Sequence, residues 1–481
     1  AARRRRHGAC AAPARGALTV AAPVQRSSGI AAWFAAVLLV VALPAWAVVV
    51  PDPAFGDNGH AYITGFDGIG TSHVHVAPMA DGTYVFALAG PRIANGANLL
   101  LAGRLRSDGA VDTTFGGGIV QLPIGSPAHT VALARLLPLA DGGAFVFVRM
   151  RRDSGLSDAL LLRFSRDGKF FQNFNHGQPL TVPLPLTPDM WTAYAHGDGF
   201  LLATQPWPRT LFSTVPITHS GALILRFAAN GSSDEHFGLG GLVELPDQPG
   251  RFGDLMLRAD GRFQILHTSK RPDGNAANRW RSYLANGTID TAVSSGWHDV
   301  GDDGRRHLVS VFALDDGRYA VANDESTLVG YLDAAGRMTT PMNFPDSAKA
   351  VQPFSRGRVL VGLYRESGFI PTPFHGAFAV AVDANGEPDA RFAPSEEFGM
   401  LRVPAPLHRY NFASDSPWSF VVAGYHESMG VRITRYLEIR GDGGTQPVPA
   451  TGAPALLFVA GLALLIGATR LRRERKALNR A

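Results

Sequence analysis

The stretch Leu99-Leu-Leu-Ala-Gly-Arg-Leu-Arg-Ser-Asp-Gly109-Ala-Val-Asp112-Thr-Thr-Phe115-Gly116 decides the architecture, because its parts return along the chain. An apolar run ends in a turn that reads Gly, two residues, Asp, two residues, Phe. The turn returns at Gly168/Phe171/Phe174, Gly231/Asp234/Phe237, Gly287/Asp290/Val293, Gly336/Thr339/Met342 and Gly386/Asp389/Phe392, and Asp52 and Phe55 open the series without the glycine. Successive glycines lie 59, 63, 56, 49 and 50 residues apart, which is the mark of a repeat architecture. A second series falls between them: Asp81-Gly82, Asp141-Gly142, Asp198-Gly199, Asp260-Gly261, Asp316-Gly317 and the degenerate Arg356-Gly357. Each is followed by an apolar run such as Thr83-Tyr-Val-Phe-Ala-Leu88, so two independent markers keep one period.

An Asp-Gly pair between β-rich runs supplies the positive φ of a tight hairpin, and the carboxylate bonds nearby backbone N–H groups. Each unit therefore reads strand, Asp-Gly turn, strand, variable loop, strand, Gly-x-x-Asp-x-x-Phe turn, strand. In the second turn the Asp closes an Asx-type turn and the Phe drops between neighbouring units. A calcium loop is the functional alternative, but the ligand spacing of an EF-hand or nonapeptide loop is missing. Four-stranded units of this length need neighbours on both faces, which predicts an all-β fold, a single β-propeller. Boundaries at Asp52, Asp112, Phe171, Asp234, Asp290, Thr339 and Asp389 enclose six units, and 389–442 makes a seventh. The expectation is seven four-stranded blades. Trp418–Gly424 and Val431–Ile439 are read as inner strands of the last, and the N-terminal strand His60–Gly65 locks the ring.

The ends of the chain read differently. Residues 1–47 carry six Arg and no acid, then the apolar run 30–43, Pro44 and Ala45-Trp46-Ala47, the pattern of a secretory signal cleaved after Ala47. Residues 443–452 form a linker, 453–469 an apolar transmembrane segment, and 470–481 a basic tail with Arg470, Arg472, Arg473, Arg475 and Lys476, which keeps it cytoplasmic. Without these ends the net charge of +5 becomes −6 over 48–442, so the basic balance belongs to targeting and excludes nucleic acid as a partner. The single cysteine, Cys10, precedes the cleavage site, which leaves the mature chain no disulfide, thiol nucleophile or cysteine metal site. A body of this length is large enough to be held by packing alone.

Two resemblances follow from particular residues. Leu105-Arg-Ser-Asp-Gly-Ala-Val-Asp112-Thr-Thr-Phe115-Gly-Gly-Gly-Ile-Val120, with Leu225-Arg-Phe227 through Phe237-Gly-Leu-Gly-Gly-Leu-Val243, resembles the bacterial delta-60 repeat. The resemblance spans roughly 48–442, fades over 287–342, and implies an exported or surface propeller. Val448-Pro-Ala-Thr-Gly452, with the apolar segment and the arginines after it, resembles the C-terminal sorting signals read by exosortase-like or sortase-like transpeptidases. A sorting transpeptidase is the partner this implies; a plain single-span anchor is the alternative.

Chemistry is sparse. His73, His75, His129 and His307 stand near the start of expected inner strands, where residues of different blades converge on an axial channel and imidazole would ligate a metal. Their offsets from the Asp-Gly marks differ, which argues against a shared layer and leaves no catalytic residue, metal site or cofactor assigned. No Gly-x-Ser-x-Gly elbow, His-Glu-x-x-His helix or phosphate loop occurs. Trp191, Trp207, Trp280, Trp297 and Trp418 offer sugar-stacking faces but serve equally as packing residues. The sequence thus predicts an exported, membrane- or surface-anchored, noncatalytic binding module for an unnamed protein or cell-envelope ligand. The alternative is a propeller enzyme, a hydrolase or lyase on glycans or lactones, with its site at the channel mouth.

Overall fold

The computed structural model describes residues 48–439, apart from 65–73, 93–97, 126–128, 153–156, 185–187, 207–222, 246–249, 259, 271–275, 294–296, 301–307, 315–317, 324–327, 333–341, 344–346, 355–356, 366–375, 394–399, 404–407, 417 and 427–429. Six sheets are four-stranded and built from consecutive antiparallel strands. The first holds β3 (Val74–Pro78), β4 (Tyr84–Arg92), β5 (Asn98–Leu105) and β6 (Ile119–Ile124). The second holds β7 (Thr130–Pro138), β8 (Ala144–Arg151), β9 (Ser157–Phe164) and β10 (Leu180–Leu184), and the third β11 (Pro188–His196), β12 (Gly199–Pro206), β13 (Leu223–Phe227) and β14 (Leu242–Glu244). The fourth holds β15 (Gly250–Leu257), β16 (Phe263–Lys270), β17 (Ala276–Tyr283) and β18 (His298–Val300). The fifth runs through β19 (Leu308–Ala313), β20 (Tyr319–Asn323), β21 (Leu328–Leu332) and β22 (Met342–Asn343); the sixth through β23 (Ser347–Pro353), β24 (Val359–Arg365), β25 (Gly376–Val382) and β26 (Leu401–Arg402).

The closing sheet joins the two ends of the described chain. It orders β27 (His408–Ser416), β28 (Ser419–His426) and β29 (Gly430–Ile439), and both β1 (Val48–Pro51) and β2 (His60–Ile63) pair with β29. The expectation of seven four-stranded blades is therefore corrected: six sheets have four strands, and the closing sheet has five. Its outer position is shared by two short strands, because the turn Asp52–Gly59 interrupts the N-terminal segment between Pro51, opposite Tyr436, and His60, opposite Thr434. The first strands touch in cyclic order, β3 to β7, β11, β15, β19, β23, β27 and back to β3, which makes the fold a β-propeller. In the closing sheet that innermost strand is β27, so the segments 418–424 and 431–439 are second and third strands rather than inner ones. In the first six sheets the repeated Gly-x-x-Asp-x-x-Phe turn also lies inside the sheet, between its third and fourth strands, rather than at a blade boundary.

The core is a set of seams. One face of β4 (Val85, Ala87, Ala89) packs with Val146, Val148 and Leu162 of the second sheet, while the other face (Tyr84, Phe86, Leu88) packs with Val421, Ala423 and Ile433 of the closing sheet. Both faces of a middle strand are buried, so these strands read as continuous apolar runs instead of alternating ones. Further clusters join the second sheet to the third around Phe145, Phe174 and Phe200, the third to the fourth around Phe237 and Phe263, and the sixth to the closing sheet around Phe392 and Phe420. Each fully buried side chain of this size contributes about 1.5–3 kcal/mol, so the stabilising burial is spread around the ring.

Candidate functional site

A meander places its first-to-second and third-to-fourth turns at one end of the ring and its other connections at the opposite end. The first end is pinned residue by residue. Asp52, Asp112, Asp234, Asp290 and Asp389 each accept, through Oδ1, the N–H two residues on, at 2.9 Å for Ala54 and Thr114 and 3.1–3.2 Å for His236, Ala292 and Arg391. Phe55, Phe115, Phe174, Phe237 and Phe392 are fully buried in the seams, as the spacing predicts. The residue after the Phe then reaches the next turn: Gly56, Gly116, Asn175 and Gly238 donate their N–H to the carbonyls of Asp108, Asp167, Asn230 and Asn286 at 2.6–2.8 Å. Only glycine fits the receiving corner. Gly109 has φ +79°, and a Cβ there would lie 2.6 Å from the Gly56 nitrogen; at Gly168 it would lie 2.5 Å from the Gly116 nitrogen. The repeated turn is thus a staple between sheets, and its carboxylates are occupied by it.

One part of the staple escaped the sequence reading. Each turn Asp is met by an arginine: Arg104 by Asp112 at 2.7 Å, Arg226 by Asp234 at 3.1 Å, Arg262 by Asp290 at 3.0 Å, Arg358 by Asp389 at 3.2 Å and Arg435 by Asp52 at 3.2 Å. The arginine has two alternative origins. In the first, second, third and closing sheets it stands on the third strand (Arg104, Arg163, Arg226, Arg435), one place before the residue opposite Tyr84, Ala144, Phe200 and Phe420. In the fourth, fifth and sixth sheets that place holds Ser282, Tyr331 and Ala381, and the arginine stands instead just ahead of the second strand, as Arg262, Arg318 and Arg358. Several of these guanidinium groups also donate across a seam, Arg104 to the Arg166 carbonyl at 2.9 Å, Arg163 to Ala229 at 2.9 Å and Arg318 to Ala384 at 2.6 Å. In the second sheet Phe171 replaces the Asp, and Arg163 stacks on its ring at 3.8 Å while pairing with Asp141. The signal was present as an Arg five residues before Gly109, Gly168 and Gly231, or directly after Gly261, Gly317 and Gly357.

The third sheet corrects one hairpin. His196 pairs with Gly199, so the turn is Gly197-Asp198, and the positive φ belongs to Gly197 (+60°) rather than to Gly199. Asp316, Gly317, Arg356, Gly336 and Thr339 lie outside the described residues, as do the signal, linker and C-terminal segments. No helix among the described residues is long and apolar enough to cross a membrane.

Toward the axis, one register level of the inner strands carries a polar residue in six of the seven sheets. The residues opposite Ala87, Phe147, Ala203, Leu266, Ala322, Gly362 and Ala423 are His75, Arg135, Thr192, Asp254, Ser310, Ala350 and Asn411. A register shift directly precedes Arg135, Asp254, Ser310, Ala350 and Asn411, and such bulges re-aim side chains. Asn411 accepts the Val76 N–H at 3.3 Å across the closing seam. On the far side, the Tyr194 hydroxyl donates to Asp254 and accepts the Leu255 N–H at 3.1 Å, and Arg135 lies 5.7 Å from the Tyr194 ring centre. Burial first, and the Asp254 charge second, push the Tyr194 phenol well above its ordinary range, so it stays a neutral donor. These three residues stitch β7, β11 and β15 together.

The sequence-selected histidines divide. His75 sits on the polar level, but His129 stands ahead of β7, where its carbonyl accepts from Asn98 at 3.0 Å; His73 and His307 lie outside the described residues. The structure does not bring His75 and His129 to one level. Among the described residues, no group of three or more His, Cys, Asp or Glu is placed to hold a metal. Trp280 is buried in the seam between the fourth and fifth sheets, Trp297 packs against His267 and Arg281, and the Trp418 carbonyl accepts from Glu438. Trp207 lies outside the described residues.

At the opposite end lie the second-to-third connections and the links from one sheet to the next, most of whose residues are outside the described residues. These connections differ in length: β12 reaches β13 through 207–222 and β24 reaches β25 through 366–375, whereas β28 reaches β29 through 427–429.

No protein-family model and no curated protein matches the chain. Among solved structures it is similar to a streptogramin B lyase at 10% identity and TM-score 0.44, over 79% of this chain and 97% of that one. It is likewise similar to YCF48 bound to D1 peptide, at 11% and 0.41 over 82% and 99%, and to the β-propeller domain of the trilobed protease from Pyrococcus furiosus, at 9% and 0.42 over 79% and 98%. The ring itself rests on the strand pairing described above.

Proposed function

We propose that this chain is an exported, membrane- or surface-anchored binding propeller that takes a protein or cell-envelope ligand at the end of the ring where the connections vary. The observation that carries the reading is the variation in connection length at that end, beside a stapled end of repeated geometry. One end is committed to staples whose Gly, Asp, Arg and Phe are consumed in holding neighbouring sheets together. The other is free to change length, from 427–429 to 207–222, on a scaffold that does not change with it. Recognition residues belong on such connections, held by a rigid frame. The resemblance of 48–442 to delta-60 repeats, and of the C-terminal residues to a sorting signal, supports export and attachment.

The test is capture from a cell-envelope extract on the immobilised 48–442 fragment, beside a version in which 207–222 and 366–375 are replaced by short Gly-Asn turns. Retention of the same species by both versions, with both still folded by circular dichroism, would sink the assignment to this end.

A further inference from the structure

The chain enters and leaves the fold at one point. In the first sheet, the third strand ends at Leu105, opposite Tyr84; in the closing sheet the equivalent place is Tyr436, opposite Phe420. β29 does not stop there. Leu437, Glu438 and Ile439 continue past the level of the other third strands and pair with Val50, Val49 and Val48. Val48 and Ile439 are direct partners, so residues 1–47 and 440–481 attach side by side. Because β29 runs toward the third-to-fourth turn, that point lies at the stapled end.

We infer that, when the chain is held by its C-terminal apolar segment, the ring sits with its stapled end toward the membrane and its variable end away from it. This rests on the anchored reading given above. Residues 441–452 are rich in Gly and Pro, and a flexible linker of that length has an end-to-end distance of about 20 Å. An eight-residue strand already runs about 27 Å, so turning the variable end to the bilayer would take the linker beyond its usual reach and around the ring. Charge at the stapled tips does not oppose the arrangement. Arg106 pairs with Asp108, Lys169 with Asp167 and Arg258 with Asp260, all on exposed side chains, so at these described tips both signs alternate.

The chain's one thiol makes the orientation measurable. In a Cys10→Ser background, single cysteines replace exposed residues at the stapled end (Ser107→Cys, Lys169→Cys) and at the opposite end (Thr130→Cys, Arg151→Cys), each carrying a fluorophore. The full chain is reconstituted into vesicles bearing a nitroxide on the lipid headgroup. Flotation first reports attachment, and quenching then reports orientation. Severalfold stronger quenching at positions 107 and 169 than at 130 and 151 is the expected result. Equal or reversed quenching in chains that float with the vesicles overturns the orientation and leaves the anchor standing. Chains that do not float overturn the anchored reading, and the orientation falls with it.

Discussion

At the residue scale, the staple's components differ in what their loss costs. Gly109→Ala places a Cβ against the Gly56 nitrogen at positive φ, whereas at Gly117, also at positive φ, nothing lies within 4 Å. Urea unfolding should show Gly109→Ala losing about 2–4 kcal/mol and Gly117→Ala about 1 kcal/mol, the difference being the lost approach of two sheets. Arg358 holds both Asp389 and Glu438, and all three are buried. Arg358→Met takes the guanidinium from buried Glu438 and leaves Asp389 with Arg391 alone, and should cost about 3–5 kcal/mol in the same measurement. The two origins of the arginine predict a rescue: Arg262→Thr loses stability, and adding Ser282→Arg, the arrangement of the first sheet, should restore most of it. If the double variant is no more stable than the single one, the two positions are not interchangeable. Titration offers another handle. Burial first, and Arg279 second, push the His267 imidazole down to about 4 from an ordinary 6.5. The unfolded chain binds that proton near pH 6.5 and the folded chain does not, so the stability contribution is full above pH 6.5. It declines between pH 6.5 and 4, by about 3 kcal/mol at most, and His267→Gln should flatten the urea midpoint across that window. Asp112 and Asp389 act lower. Burial raises each carboxyl, but hydrogen bonds from Thr114 and Arg391 and their arginine partners outweigh it. Both therefore sit below the usual carboxylate range, and their contribution is lost as pH falls through those depressed values.

At the element scale, the closing sheet depends on two short strands that no local turn connects to β29. Val49, Phe55 and Ile63 are buried in the seams flanking the closing sheet, and each is worth about 1.5–3 kcal/mol. A chain that begins after Ile63 should lose upward of about 5 kcal/mol, and the bared edge of β29 should self-associate, both visible by thermal melting with size-exclusion chromatography. A monomer with an unchanged melt would show that the closure is ornamental. How much of this was legible follows from what repeats. The Asp-Gly and Gly-x-x-Asp-x-x-Phe turns are fixed by local φ and by Asx geometry, so they announced both the meander and the closure by an N-terminal strand. The phase was not legible, since a periodic signal does not say where a sheet begins; Gly109 to Phe115 proved to lie within a sheet. The five-stranded closing sheet escaped as well, because Asp52-Pro53-Ala54-Phe55 splits one strand into two without altering the apolar pattern around it. Arg104 and Arg358 were overlooked for a different reason: they do one task from two places in the register, and a search for one spacing sees neither. The polar level from His75 to Asn411 depends on bulges, which shift each strand by a residue and erase a shared offset. His75 and His129 were grouped because both stand near the start of an expected inner strand, and pairing with Ala87 and with the Asn98 amide separates them.

At the scale of the whole molecule, the two ends of the ring make different demands on the sequence. Substitutions in 207–222 should leave the unfolding free energy within about 0.5 kcal/mol of the parent while altering what the propeller retains. A large stability loss there would mean that this connection carries packing, and its length would need another explanation. The attachment of both chain ends at Val48 and Ile439 has a mechanical consequence as well. A ligand gripped at the far end and a tail fixed below would put the ring under tension, and that load would enter at Ile439 and travel along the axis of β29. Its hydrogen bonds to β28 on one side, and to β1 and β2 on the other, would be sheared together instead of being unzipped singly. The strand that closes the ring is thereby also the one best placed to bear a pull.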